Sequence, residues 1–197
     1  METLMTDMAW ITIALVVVLA LVGIGAWHFY QKKRSHALQK QFGPEYERTV
    51  TELGSRAKGE SELKAREKRV ERLEILPLAA SDGARFSEAW QALQGRFVDN
   101  PKGVVIQAEQ LVRELMEKRG YPMGDFEQRA GDISVDHPDV VANYRAAQAI
   151  AVRDQQGSAD TEDLRKAVVY YRALFDELLE IREPRQAIVA DKRVAAR

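Results

Sequence analysis

Thr161-Glu-Asp-Leu-Arg-Lys-Ala-Val-Val-Tyr-Tyr-Arg-Ala-Leu-Phe-Asp-Glu-Leu178 is the stretch that decides the fold class. Its apolar residues Leu164, Ala167, Val168, Tyr171, Leu174, Phe175 and Leu178 recur at spacings of three and four. That period places them in one stripe of an α-helix and leaves the charged residues outside it. Thr161 is expected to cap this helix, and Glu162 and Asp163 suit the positive end of its dipole.

The same period repeats upstream. Asp136-His137-Pro138 opens a helix whose inner face holds Val141, Tyr144, Ala147 or Gln148, and Ala151. Asp125 can cap a short helix through about Ile133. Asn100-Pro101 reads as N-cap and first position of a helix carrying Val104, Ala108, Leu111, Val112 and Leu115, with Gly120 as its stop. Phe86, Ala89, Trp90, Leu93 and Phe97 form another stripe, on which Trp90 reads as core. No segment alternates with the period of two expected of a strand. The fold class is therefore all-α, with a bundle of about four helices over 77–180.

At the other end, residues 8–27 form a run of twenty without a charge. As a helix it spans about 30 Å, the thickness of a bilayer's hydrocarbon core. Ten of the fourteen residues from Ile11 to Ile24 are Leu, Ile or Val, contributing about −3 to −6 kcal/mol toward insertion. Trp10 stands near one end, and Trp27, Phe29 and Tyr30 at the other, where aromatic belts form. A cleaved signal peptide would begin with basic residues, but this start carries Glu2 and Asp7. The expected transmembrane helix covers 8–30, after a short extracytoplasmic N-terminus, 1–7. Lys32, Lys33 and Arg34 follow and no Lys or Arg precedes, so the positive-inside rule puts the C-terminal side in the cytoplasm of a bacterial inner membrane. Those three cations can also meet anionic headgroups. The alternative topology leaves the domain outside.

Between anchor and bundle, 31–76 reads as a charged juxtamembrane stalk. Helical character runs from Pro44 toward Ile75, weakened at Gly54 and Gly59. The apolar positions Tyr46, Val50, Leu53 and Ala57 fall out of phase with Leu63, Val70 and Leu73, which argues against a long coiled coil. A solvated helix is the simpler expectation. Residues 181–197 read as a flexible basic tail.

Composition narrows the function. The net charge is −1, so no overall field favours nucleic acid, and nucleic-acid binding is not expected. The absence of cysteine removes disulfides, thiolate metal sites and Cys nucleophiles. The three histidines are not paired at helical spacing, so no metal or other cofactor is expected. No phosphate loop, nucleophile elbow or zinc-protease motif occurs, and Gly23-Ile24-Gly25 lies inside the apolar run.

One segment, Tyr121 to His137, is rich in polar residues. In one reading Asp125, Arg129, Asp132, Asp136 and His137 converge on a ligand, with His137 as a weak acid/base group. In the simpler reading the acids terminate helices, Arg129 pairs with a carboxylate, and Tyr121 and Phe126 are core. The chain thus reads as a membrane-anchored, non-enzymatic interaction or scaffold protein. Its partners would be the lipid bilayer and another protein. The alternatives are a ligand-binding or acid/base domain at Tyr121–His137, or a lipid or nucleic-acid contact through the basic tail.

Phe42-Gly-Pro-Glu-Tyr-Glu-Arg-Thr-Val50, Arg119-Gly-Tyr-Pro-Met-Gly-Asp-Phe-Glu-Gln-Arg-Ala130, Ile133-Ser-Val-Asp-His-Pro138 and the Thr161–Leu178 stretch resemble a family of bacterial single-pass membrane proteins. The resemblance implies a bacterial origin and an N-terminal anchor before a helical domain. It implies no activity. Members are often described as secreted, whereas the flanking charges here favour the cytoplasmic side.

Overall fold

A computed structural model of the chain describes residues 21–23, 25, 29–30 and 32–179. Those residues are helical or in short connections, with no strand among them. Helix α1 covers 32–42, and α2 is Pro44–Glu52. The others are α3 Arg56–Val70, α4 Ala80–Gly95, α5 Pro101–Lys118, α6 Phe126–Asp136, α7 Pro138–Gln155 and α8 Thr161–Leu179. The chain divides into two units, Met1–Gln41 and Phe42–Arg197.

The second unit is built around α5, α7 and α8, which pack on one another, with α4 against α5. Trp90, Leu115, Met116, Tyr144, Tyr171 and Phe175 are among its largest fully buried side chains. Trp90 stacks on Phe175 with ring centroids 4.6 Å apart. Arg172 lies 5.4 Å above the Trp90 ring, a cation–π contact. The stripes of α4, α5, α7 and α8 fall inside as their spacing requires. The bundle region holds five helices rather than about four, because α6 is a full element of the packing.

Helix starts follow local chemistry. Asn100 Oδ1 accepts from the Gly103 amide and Asp125 Oδ1 from the Gln128 amide, each satisfying an amide that the helix leaves unpaired. The last helix departs from expectation by one residue. Asp160, not Thr161, is its cap, accepting from the Asp163 amide at 2.7 Å.

The expected solvated stalk is also corrected. Over 44–70 the chain breaks at Leu53-Gly54-Ser55, with Gly54 at φ 63, and folds back as a hairpin of α2 and α3. Tyr46, Leu63 and Val70 are buried, and the hairpin packs on α6 and α7. Gly59 permits the close crossing, since a Cβ there would lie 2.9 Å from the Val50 Cα. The compact unit accordingly begins at Phe42 instead of Pro77.

The expected transmembrane helix falls mostly outside the described residues, including Trp10 and Trp27. Among the described residues no helix is long and apolar enough to cross a membrane. Tyr30, Lys32, Lys33 and Arg34 are described and exposed. The tail 181–197 lies outside the described residues.

Gly120 joins the hairpin's exit to the bundle. Its φ is +90, and a Cβ would stand 2.5 Å from the Glu74 carbonyl oxygen, while the Leu76 amide donates to the Arg119 carbonyl at 2.9 Å. Gly120→Ala is expected to lower stability by about 1–3 kcal/mol from backbone strain, with the clash adding to it. Thermal unfolding of the full chain measures this, and an unchanged Tm would refute it.

Candidate functional site

Helix α6 is the least ordinary element. All seven residues from Arg129 to Val135 are buried, including Arg129, Asp132 and Ser134. A helix encased on every side must satisfy its polar groups from its neighbours. Ser134 turns inward and donates to the Gly131 carbonyl at 2.6 Å. Arg129 reaches three ways. Its Nε donates to the Tyr144 hydroxyl at 3.2 Å, its Nη1 to the Gly124 carbonyl at 2.6 Å, and its Nη2 stands 4.0 Å from Glu109. Burial pushes the Tyr144 hydroxyl pKa up, with Arg129 opposing it.

The other expected ligand residues go elsewhere. Asp125 is occupied as the α6 cap. Asp132 turns toward α3 and accepts from Arg69 Nε at 2.7 Å. His137, 6% exposed, places its Nδ1 3.0 Å from Glu177 Oε1 on α8. Asp136 is half-buried at the end of α6. Asp125, Arg129, Asp132 and His137 each bond to a different partner, so these bonds show no convergence on a common ligand. A shallow groove of about 530 Å³ runs along α5 between Ile106, Glu109, Arg113, Glu114, Glu117 and Met123. None of Asp125, Arg129, Asp136 or His137 lines it. Among the described residues no group of three His, Asp or Glu side chains is placed to hold a metal ion.

The densest charged arrangement lies instead where the α2–α3 hairpin meets α6 and α7. Glu45 on α2 is 3% exposed. Its carboxylate receives Arg145 of α7 as a fork, Nη2 to Oε1 at 2.8 Å and Nε to Oε2 at 3.1 Å. Arg66 of α3 adds Nη1 at 2.9 Å, and Arg48 one turn along α2 adds Nη1 at 3.2 Å. Arg145 continues to Glu127 of α6 at 2.6 Å, and Arg48 reaches the same carboxylate at 3.4 Å. Arg66 also holds Glu62 at 3.1 Å. Its guanidinium lies over Gly131 of α6, where a Cβ would approach Nε to 3.2 Å.

The electrostatics follow from burial and pairing. Partial burial is the largest single influence on the Glu127 carboxyl and pulls it upward, but the hydrogen bonds and charges of Arg145 and Arg48 together outweigh it and hold its pKa below the ordinary carboxylate value. Asp132 goes the other way. Burial dominates, Arg69 compensates only in part, and its pKa is raised. Its Oδ2 is buried with no hydrogen-bond partner among the described residues.

Glu45, Arg66, Arg69 and Arg145 were not legible as a site in the sequence. Arg66 shares a helical stripe with Gly59, Leu63 and Val70, yet a charged residue there reads as exposed. Compared with family models, curated proteins and solved structures, the chain matches none.

Glu45→Ala leaves Arg66 and Arg145 buried without their shared acid. The expected loss of stability is about 3–5 kcal/mol, read by urea denaturation, and a loss under about 1 kcal/mol would show the cluster is not structural. Asp132 gives a pH test. A raised folded-state pKa means its contribution is full below the ordinary value near 3.8 and lost as pH rises through the folded-state pKa. Asp132→Asn should therefore gain stability relative to wild type as pH rises from about 4 to about 7. A constant difference across that range would contradict the assignment.

Proposed function

We propose that this chain is a membrane-tethered, non-enzymatic interaction module of a bacterial inner membrane, with its helical domain on the cytoplasmic side. The observation that carries the reading is the order of residues around Tyr30. Twenty uncharged residues at 8–27 are followed by Phe29 and Tyr30, then Lys32, Lys33 and Arg34, and these five side chains are exposed. Apolar run, aromatic belt and basic flank are the three marks of a span whose C-terminal side stays in the cytoplasm. The resemblance to bacterial single-pass membrane proteins supports the same organisation.

The domain supports an interaction role through its polar economy. Arg129, Asp132 and His137 are engaged in holding helices together. What it offers outward is surface, including the groove along α5, where Ile106 is 63% exposed beside Glu114 and Glu117. A mixed apolar and charged face of this kind suits a protein partner.

The test is made on the full-length chain in bacteria, with C-terminal reporters active only in the cytoplasm or only outside it. A cytoplasmic signal is expected, with the protein in the membrane fraction after alkaline wash and released when 8–27 are deleted. An external signal would overturn the orientation. Full-length protein in the soluble fraction would overturn the anchor.

A further inference from the structure

The α2–α3 hairpin differs from the rest of its unit in what holds it. Its buried apolar residues Tyr46, Leu63 and Val70 lie outside the main core cluster that joins α4, α5, α6, α7 and α8. It has its own internal closure. Tyr46 donates to Glu60 Oε1 across the hairpin at 2.9 Å, Arg66 reaches Glu45 at 2.9 Å, and Gly59 nests on Val50. The hairpin packs on α6 and α7, and the side-chain bonds that fasten it there are ion pairs: Arg145 to Glu45, Arg69 to Asp132 and Arg48 to Glu127. The last two involve partly exposed arginines, at 36% and 30% side-chain exposure, where solvent and salt can compete.

We propose that the α2–α3 hairpin is an ion-locked latch. It leaves the α6–α7 face as one unit while the α4–α8 bundle stays folded. Segments with few contacts to a common core open at lower free energy than that core, in contiguous units. A unit closed by its own hydrogen bonds can open without unravelling. The chain supplies hinges at both ends. Gly43 stands at φ 50 before Pro44, and residues 71–79 after α3 hold no α-helix. Release uncovers Gly131 and Asp132 of α6 together with Arg145 of α7, and it frees Arg69 while Arg66 keeps Glu45 and Glu62 inside the hairpin. In the sequence the hairpin lies between the apolar run and the bundle, so a pull or a change of partner on the N-terminal side reaches it first. The latch does not depend on whether 8–27 enter a bilayer.

Hydrogen exchange read by mass spectrometry on the full chain tests the latch. Peptides covering 44–70 are compared with those covering 101–118, 138–155 and 161–179. In wild type, 44–70 should exchange as a block through an opening easier than that of the three bundle helices. Added sodium chloride should speed that block alone. Arg69→Gln and Arg48→Gln, both at partly exposed positions and expected to fold, should each raise exchange over 44–70 about threefold to tenfold. The bundle helices should change less than about twofold in these variants. Equal protection of hairpin and bundle in wild type would overturn the proposal. So would parallel acceleration of all four segments, acceleration of α2 without α3, or no response of 44–70 to either variant or to salt.

Discussion

A carboxylate that is 3% exposed needs cations around it, and Glu45 obtains them from three helices. An isolated charge there would carry a desolvation penalty larger than most single contacts can offset. Arg145 must therefore come from α7, Arg66 from α3 and Arg48 from α2 itself. Each of these positions constrains its helix in rotation as well as in place. Apolar packing tolerates small slides, because dispersion has no preferred direction. A forked guanidinium–carboxylate contact does not tolerate them. The seam thus sets how the hairpin lies on α6 and α7, while the α4–α8 core supplies the apolar burial.

The division is visible in the residues themselves. Trp90, Phe175 and Tyr171 fill the core with large rings, each removing a large apolar area from water. The seam side of α6 carries Gly131 and Asp132 instead. Gly131 leaves room for the Arg66 guanidinium to lie flat against the helix. Asp132 gives Arg69 a partner at the cost of a buried, half-satisfied carboxylate, which explains its raised pKa. Retaining such a group favours geometry over stability at that point.

Much of the fold could be read from the sequence, and the exceptions share a physical cause. The stripes of α4, α5, α7 and α8 are apolar at helical period, so burial and pattern agree. Asn100 and Asp125 cap as their side chains require. The sequence of 44–75 suggests a solvated stalk because its two apolar stripes fall out of phase, and pattern alone places Arg66 and Glu60, both buried in the hairpin, at the surface. Burial of those charges depends on Glu45 and Tyr46, distant in sequence. Of the candidate residues, Asp125, Arg129 and His137 are near in sequence yet bond to different partners in the fold. Arg129 reaches α7 and α5, Asp132 reaches α3 and the cap residue His137 reaches α8, so neighbouring polar residues part company once the helix forms.

The α6–α7 corner has a consequence for chain length. His137 ends α6, its amide donating to the Ile133 carbonyl at 2.8 Å, and Pro138 starts α7 at once. No spare residue separates the two helices. One residue inserted there would turn α7 by about 100° about its axis, carrying Arg145 off the Glu45 carboxylate and Tyr144 off Arg129 together. The corner therefore acts as a length gauge for this region: side chains on its arms can be exchanged one at a time, but its spacing cannot change by a single residue without resetting the phase of both.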